Sequence, residues 1–275
     1  MTQSVALVTG ATGGIGKEIA RGLVGAGTHV IVGARTPSRG EATAEELSAG
    51  APGKVTVMPL DVAEQSSIRA FAADLAARFD RLDILVNNAG AWFTDRRESA
   101  EGLELTLATN VIGPHLLTEL LLEPLRAAPH GRVVNIVTSF AGGLDLDDLQ
   151  FVRRPYDGFA AYGQSKRALT MLTWGLASRL AGDTVTANTA SPGFVRTDFN
   201  RNARGFRAAM INLSARMMAV SPAKGADTPL WVATAPELEG VSGKHFEGRK
   251  EKEARYRDPD LIADLERRAS ELEES

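Results

Sequence analysis

The chain has 275 residues, of which 44% are hydrophobic and 24% charged, close to soluble globular averages and unlike disordered, collagen-like or coiled-coil chains. Thirty-one Lys and Arg against 34 Asp and Glu leave a net charge of -3, which argues against a broad cationic surface and hence against a nucleic-acid partner. The absence of cysteine removes disulfides, zinc ribbons and thiol catalysis together.

From the N-terminus, Met1 to Ser4 carry no basic run, and the apolar stretch Val5 to Val8 is too short for a signal peptide or a membrane span. The expectation is a cytoplasmic protein without a membrane anchor. Strands are predicted at Val5 to Val8, His29 to Val32, Val55 to Met58, Ile84 to Val86, Arg132 to Val137 and Val185 to Ala187. Between them, Ile15 to Val24, Glu41 to Leu47, Ser67 to Phe79 and Tyr162 to Leu180 place apolar residues at three- and four-residue spacing, which predicts helices. Alternation of this kind is the βαβ signature. Strands that are apolar almost throughout belong to a parallel sheet covered on both faces. No linker or repeat divides the chain, so residues 1–248 read as one α/β domain. Residues 249–275 read as a charged C-terminal helix or tail, apolar only at Leu261, Ile262, Leu265 and Leu272.

Directly after the first strand comes Thr9-Gly-Ala-Thr-Gly-Gly-Ile-Gly16. Glycines at this junction let backbone N–H groups of a helix N-terminus approach a pyrophosphate. Two spacings fit: Gly10, Gly14 and Gly16 give TGxxxGxG, whereas Gly10, Gly13 and Gly16 give TGxxGxxG. Further along stand Asn87-Asn-Ala-Gly90 after the fourth strand, Asn110 in the next helix and Ser139 after the fifth strand. Tyr162-Gly-Gln-Ser-Lys166 and Ser191-Pro-Gly193 complete the series.

In this order the motifs resemble the classical short-chain dehydrogenase/reductases, from Val5 to about Phe246. The resemblance implies a single doubly wound, Rossmann-type parallel sheet with helices on both faces, and an enzyme that interconverts CH–OH and carbonyl groups with a nicotinamide cofactor. It places cofactor contacts at Gly10, Thr12, Gly14, Ile15, Gly16, Arg35, Asp61, Val62, Asn88, Ala89, Gly90, Tyr162, Lys166, Pro192, Gly193, Val195 and Thr197. The family's frequent assembly into dimers or tetramers makes a homo-oligomer an expectation.

At the end of the second strand, Ala34 stands where an NAD-preferring site usually carries Asp or Glu, and Arg35 follows. A guanidinium offers a charge-assisted fork to a 2'-phosphate that a carboxylate would repel. NADP(H) is therefore expected in preference to NAD(H), with Arg39 as a second positive charge.

Tyr162 and Lys166 lie four residues apart on one helix face, so their side chains can meet. An ammonium about 4 Å from the phenol would favour the phenolate by about 4 kcal/mol at an effective dielectric of about 20. That would bring a tyrosine from about 10 to about 7–8, where it can serve as general acid or base. The resemblance assigns the substrate oxygen to Ser139, a hold on the nicotinamide ribose to Lys166, and support of a proton-relaying water to Asn110. Thr138 is the hydroxyl that a one-residue shift would exchange for Ser139. No metal is expected, because His29, His115, His130 and His245 lack ligand spacing.

Two segments are expected near the substrate, a small-molecule carbonyl or alcohol of apolar character. The connection of residues 140–161 is long and acidic, as in the retinol dehydrogenase branch of the family, whose animal members often carry an N-terminal membrane anchor. The stretch from Phe194 to Val220 places Phe206, Met210, Leu213 and Met217 at helical spacing, which suits a lid, and Arg201, Arg204 and Arg207 toward water. Two other functions fit the sequence less well. A dinucleotide sensor without chemistry has no need of Ser139, Tyr162 and Lys166, and a sugar-nucleotide epimerase needs a larger region after Gly193.

Overall fold

The computed structural model describes residues 3–138, 142–193, 195, 220–253 and 255–274. Eight strands form one sheet in the order β3-β2-β1-β4-β5-β6-β7-β8. They are β1 (Val5–Thr9), β2 (His29–Ala34), β3 (Lys54–Pro59), β4 (Ile84–Asn87), β5 (Arg132–Ile136), β6 (Thr186–Ser191), β7 (His245–Glu247) and β8 (Lys250–Lys252). All pairings through β7 are parallel, and β8 closes the edge antiparallel to β7. The order reverses between β1 and β4, and such a switch point opens a crevice beyond the carboxyl ends of the strands.

Helices α1 (Gly14–Gly25), α2 (Pro37–Ser48) and α3 (Gln65–Arg78) follow the first three strands. After β4, the short α4 (Leu105–Leu107), a π turn (Ala108–Ile112), α5 (Gly113–Leu120) and α6 (Leu122–Arg126) run on from one another. Helices α7 (Gly158–Arg179), α8 (Pro222–Thr234) and α9 (Pro259–Glu274) complete the set.

Period-two alternation in the strands explains the layers. Ala6, Val8, Val30, Val32, Val86 and Val134 face one side, where they meet Ile19 and Leu23 of α1 and Val232 of α8. Leu7, Ile31, Leu85 and Val133 face the other, against Ile68 and Leu75 of α3, Leu117 of α5 and Leu176 of α7. Because both faces are covered, strand positions near the centre are apolar or, as at Asn87 and Asn135, polar with buried partners. Strand β6, Thr-Ala-Asn-Thr-Ala-Ser, is buried along its whole length. Its polar groups are paired: Asn188 Nδ2 donates to Val241 O at 2.7 Å and Thr189 Oγ1 meets His245 Nδ1 at 2.9 Å. That is why apolarity reached only Val185 to Ala187, although the strand runs to Ser191.

The charged C-terminal stretch is not uniform. Lys250–Lys252 belongs to the sheet, and Ile262, Leu265 and Ala269 of α9 pack on Met171 and Trp174 of α7 and on Val111 and Ile112 of the π turn. Gln65 Nε2 and Arg69 Nη2 tie α3 to the α9 carbonyls of Leu272 and Glu273.

Candidate active site at the carboxyl edge of the sheet

The loop from β1 to α1 distinguishes the two glycine patterns. Gly10 and Gly14 adopt φ of 67° and 54°, the left-handed region that glycine enters without a Cβ penalty. Gly13 is extended, and a Cβ there would touch nothing within 4 Å. At Gly16 a Cβ would lie 2.3 Å from Asn88 Nδ2 and 2.5 Å from Gly10 O. The constrained set is therefore Gly10, Gly14 and Gly16. No side chain caps α1 and no acidic residue occupies its first turn, so this N-terminus suits an anion.

The ends of β1 and β4 are laced together. Thr9 Oγ1 accepts from both Asn88 N and Ala89 N at 3.0 Å, and Asn88 Nδ2 donates to Thr9 O at 2.9 Å and Gly10 O at 3.4 Å. Asn88 thus holds the glycine turn in shape. Below it, Asn87 Nδ2 donates to Thr118 Oγ1 at 3.0 Å and to Asn135 Oδ1 at 2.8 Å, and Asn135 Nδ2 donates to Thr173 Oγ1 at 2.8 Å. This buried chain locks β4, β5, α5 and α7 in one register.

At the far end of the crevice Arg35 is 71% exposed, and its Nη1 stands 3.6 Å from Asp61 Oδ2. Asp61 Oδ1 also accepts from Ala63 N at 3.0 Å. Ala34 is buried and places no carboxylate there. Together the glycine cradle, the uncapped helix start and the exposed guanidinium fit a dinucleotide.

Tyr162 and Lys166 lie in α7, whose first turn is capped by Asp157 accepting from Phe159 N and Ala160 N. Lys166 Nζ stands 6.0 Å from the centroid of the Tyr162 ring and donates to Ile136 O at 2.9 Å. Burial pushes the Lys166 ammonium down to about 8 and pushes the Tyr162 phenol up from its ordinary value. The sign at Tyr162 differs from the sequence expectation. The Lys166 ammonium donates to the β5 carbonyl of Ile136, and burial is what raises the phenol.

Asn110 is fully buried within the π turn, a distortion of the kind often found at functional sites. Its Oδ1 accepts from Ala91 N at 2.8 Å, and its Nδ2 donates to Ala91 O and Ser165 Oγ, each at 2.9 Å. Ser165 Oγ in turn donates to Tyr162 O at 2.8 Å. A Cβ on Gly90 would lie 3.4 Å from Asn110 Oδ1 and 3.5 Å from Lys166 Nζ. The structure therefore brings Gly90, Asn110, Tyr162 and Lys166 together, with the Asn110 amide acting as a staple between the β4 loop and α7.

Gly193 takes φ of 73°, and its N–H donates to Ser191 Oγ at 3.3 Å. A cavity of about 550 Å³ opens beside Pro192 and Gly193, walled by Lys224, Thr228 and Arg249. Val195 bridges to Val220. Ser139 and Thr197 lie outside the described residues, as do Phe206, Met210, Leu213, Met217 and the three arginines expected beside them. Thr12, Ile15 and Val62 are partly exposed, Ile15 and Val62 packing against the two cores.

Sequence reasoning passed over Thr9, Asn87, Ser165 and Thr173. A signal for the last two existed: polar side chains in the middle of a helix with apolar residues on every face must find buried partners. Among the described residues no group of three or more His, Cys, Asp or Glu could hold a metal, and no helix is long and apolar enough to cross a membrane.

Residues 4–208 match the family model described as short chain dehydrogenase. The chain is 36% identical to retinol dehydrogenase 13 of Homo sapiens over 90% of this chain and 76% of that protein. It is 40% identical to polyprenol dehydrogenase of Danio rerio, covering 90% and 79%. Among solved structures, the Pseudomonas aeruginosa RhlG/NADP complex superposes with a TM-score of 0.70 at 29% identity, covering 90% of this chain and 94% of that one. The chain belongs to the short-chain dehydrogenase/reductase family and lies nearest its retinol dehydrogenase-like branch. It is an NAD(P)-dependent oxidoreductase acting between alcohol and carbonyl on a small molecule.

Proposed function

We propose that this enzyme prefers NADP(H) and interconverts a carbonyl and an alcohol on a small to medium apolar substrate, with Tyr162 as the general acid or base. The observation that carries the reading is the placement of the Tyr162 ring and the Lys166 ammonium 6.0 Å apart at the carboxyl edge of the sheet, next to the Gly10–Gly16 cradle. A nicotinamide cofactor, when bound, would supply or accept the hydride. In the reducing direction Tyr162 Oη gives its proton to the carbonyl oxygen, and in the oxidising direction it takes the proton from the alcohol. The Lys166 charge favours the phenolate, opposing the effect of burial.

Lys166 also reaches the nicotinamide ribose in this reading, and Ser139 meets the substrate oxygen. Asn110 holds Ser165 and, through it, the Tyr162 backbone. Arg35 and Arg39 receive the 2'-phosphate, with Asp61 orienting the Arg35 guanidinium. The names of the two curated relatives, for retinol and for polyprenol, support an apolar substrate. The test is Tyr162→Phe, followed by NADPH absorbance against a panel of aldehydes and ketones. Turnover should fall by about 10²–10⁴ while NADPH still quenches tryptophan fluorescence with unchanged affinity. Retained turnover would refute the assignment.

A further inference from the structure

On the α7 side of the sheet Leu85, Val133 and Ala187 form an apolar row across β4, β5 and β6. Two residues nearer the carboxyl edge, on the same face, the row turns polar. Asn87, Asn135, Thr189 and His245 are register partners there from β4 to β7. Asn87, Asn135 and Thr189 are at most 4% exposed, so the row lies inside the core. It ends one residue short of Asn88, which shapes the glycine turn, and of Ile136, whose carbonyl receives Lys166.

Within the row Asn87 Nδ2 donates to Asn135 Oδ1 at 2.8 Å, and Thr189 Oγ1 meets His245 Nδ1 at 2.9 Å. Two bonds leave it for the covering helices, Asn87 Nδ2 to Thr118 Oγ1 of α5 at 3.0 Å and Asn135 Nδ2 to Thr173 Oγ1 of α7 at 2.8 Å. Thr173 is 1% exposed and spends its own proton on Leu169 O at 2.7 Å, which leaves its oxygen to accept from Asn135.

Thr173 lies seven residues beyond Lys166. At 3.6 residues per turn that is about two full turns, so both side chains leave α7 along one line. Their partners are adjacent residues of β5: the ammonium reaches Ile136 O and the hydroxyl meets Asn135 Nδ2. The rest of this contact is aliphatic, with Leu176 and Leu180 of α7 in one core with Leu85, Val133 and Ala187. Apolar burial has no direction, and a helix held by it alone can slide or rotate by a fraction of a turn at small cost. A hydrogen bond weakens steeply with length and angle.

We propose that the bond from Asn135 to Thr173 fixes the height and rotation of α7 on the sheet, which makes these two residues positioning residues for Tyr162 and Lys166. Two apolar side chains of the same shape would serve stability nearly as well, but they would not select one register. The effect on turnover rests on the function proposed above; the effect on the surroundings of Lys166 does not.

The test uses the full chain. Thr173→Val keeps the shape and loses the hydroxyl, Thr173→Ser keeps the hydroxyl, and Asn135→Leu/Thr173→Val removes both halves of the bond. Thr189→Val removes a buried hydroxyl from the same row, one that bonds β7 and not α7. With NADPH and decanal, the single-turnover rate of Thr173→Val should fall about 10- to 100-fold while KM for decanal and Kd for NADPH stay within about twofold. Thr173→Ser should recover to within about threefold of the wild type. Thr189→Val should lose urea stability as Thr173→Val does and keep the rate within about twofold. The double variant should regain part of the urea midpoint and none of the rate, because no half of the bond is left unpaired and nothing sets the register.

A second readout is independent of turnover. NMR of isotope-labelled lysine Cε, with Lys166 assigned by its absence in Lys166→Met, follows a titration that burial holds at about 8 in the wild type. In Thr173→Val it should move up by at least about 0.5 pH unit, since a helix free to shift admits water to the ammonium. An unchanged Lys166 titration in Thr173→Val would overturn the proposal. So would a loss of rate in Thr189→Val as large as that in Thr173→Val, since the rate would then follow stability alone. If Thr173→Val fails to fold, the double variant carries both readouts. If the wild type does not reduce decanal, the proposed function fails, and the lysine titration alone decides the role of the bond.

Discussion

Replacing Lys166 by methionine should stabilise the fold at neutral pH while ending catalysis. The ammonium is buried, and its titration is depressed from 10.5 to about 8. Below pH 8 the lysine is protonated in both the folded and unfolded chain, so the folded state carries the full cost of burying the charge. Between about 8 and 10.5 the folded lysine releases its proton first, the unfolded chain binds more protons, and stability rises with pH. At about 1.4 kcal/mol per pH unit the burden below pH 8 is about 3 kcal/mol. Methionine has a similar unbranched shape and no charge, and loss of the bond to Ile136 O returns about 1 kcal/mol. The variant should therefore be about 2 kcal/mol more stable than the wild type near pH 7, with that margin nearly gone by about pH 9.5. Urea denaturation of both proteins at the two pH values checks this, and taking the difference removes other titrating groups. A margin independent of pH, or a variant less stable at pH 7, would refute the reasoning.

Three further outcomes are expected. Gly16→Ala should weaken NADPH binding at least about tenfold and cost about 1–3 kcal/mol of stability, because its Cβ meets Asn88 and Gly10, whereas Gly13→Ala should bind NADPH as the wild type does. Fluorescence titration and urea melts of the pair read both effects. Arg35→Ala should raise the Kd for NADPH by about 10- to 100-fold and leave NADH unaffected, since a charge-assisted bond to the 2'-phosphate is lost; equal losses for both coenzymes would contradict the role. Leu265→Ala, emptying a 1% exposed site between α9 and α7, should cost about 2–4 kcal/mol, while Leu261→Ala at a 40% exposed site should stay within about 0.5 kcal/mol in the same urea assay.

Most of the sheet and its covering helices were legible in the sequence because each strand buries both faces and each covering helix one stripe, which leaves periods that can be counted. The edge was not. β7 and β8 are three residues each and hold their place through pairing with β6 and with one another, not through any apolar pattern of their own. Helix α9 looked like a solvated, charged segment, since few apolar residues serve to dock it. Its side chains Ile262 and Leu265 meet a face of α7 that local periodicity cannot identify as vacant or covered.

The amino-acid order alone determined the alternation of strand and helix, the glycine turn after β1 and the four-residue spacing of Tyr162 and Lys166, because each depends on neighbours in the chain. Only the folded arrangement decided which glycines in the turn are constrained, that Asn88 and Asn110 work as staples, and that Asn135 of β5 bonds Thr173 of α7. Those outcomes come from contacts between residues tens of positions apart, such as Gly16 with Asn88 and Asn135 with Thr173. Strand register and helix packing set such distances, and no local pattern of residues carries them.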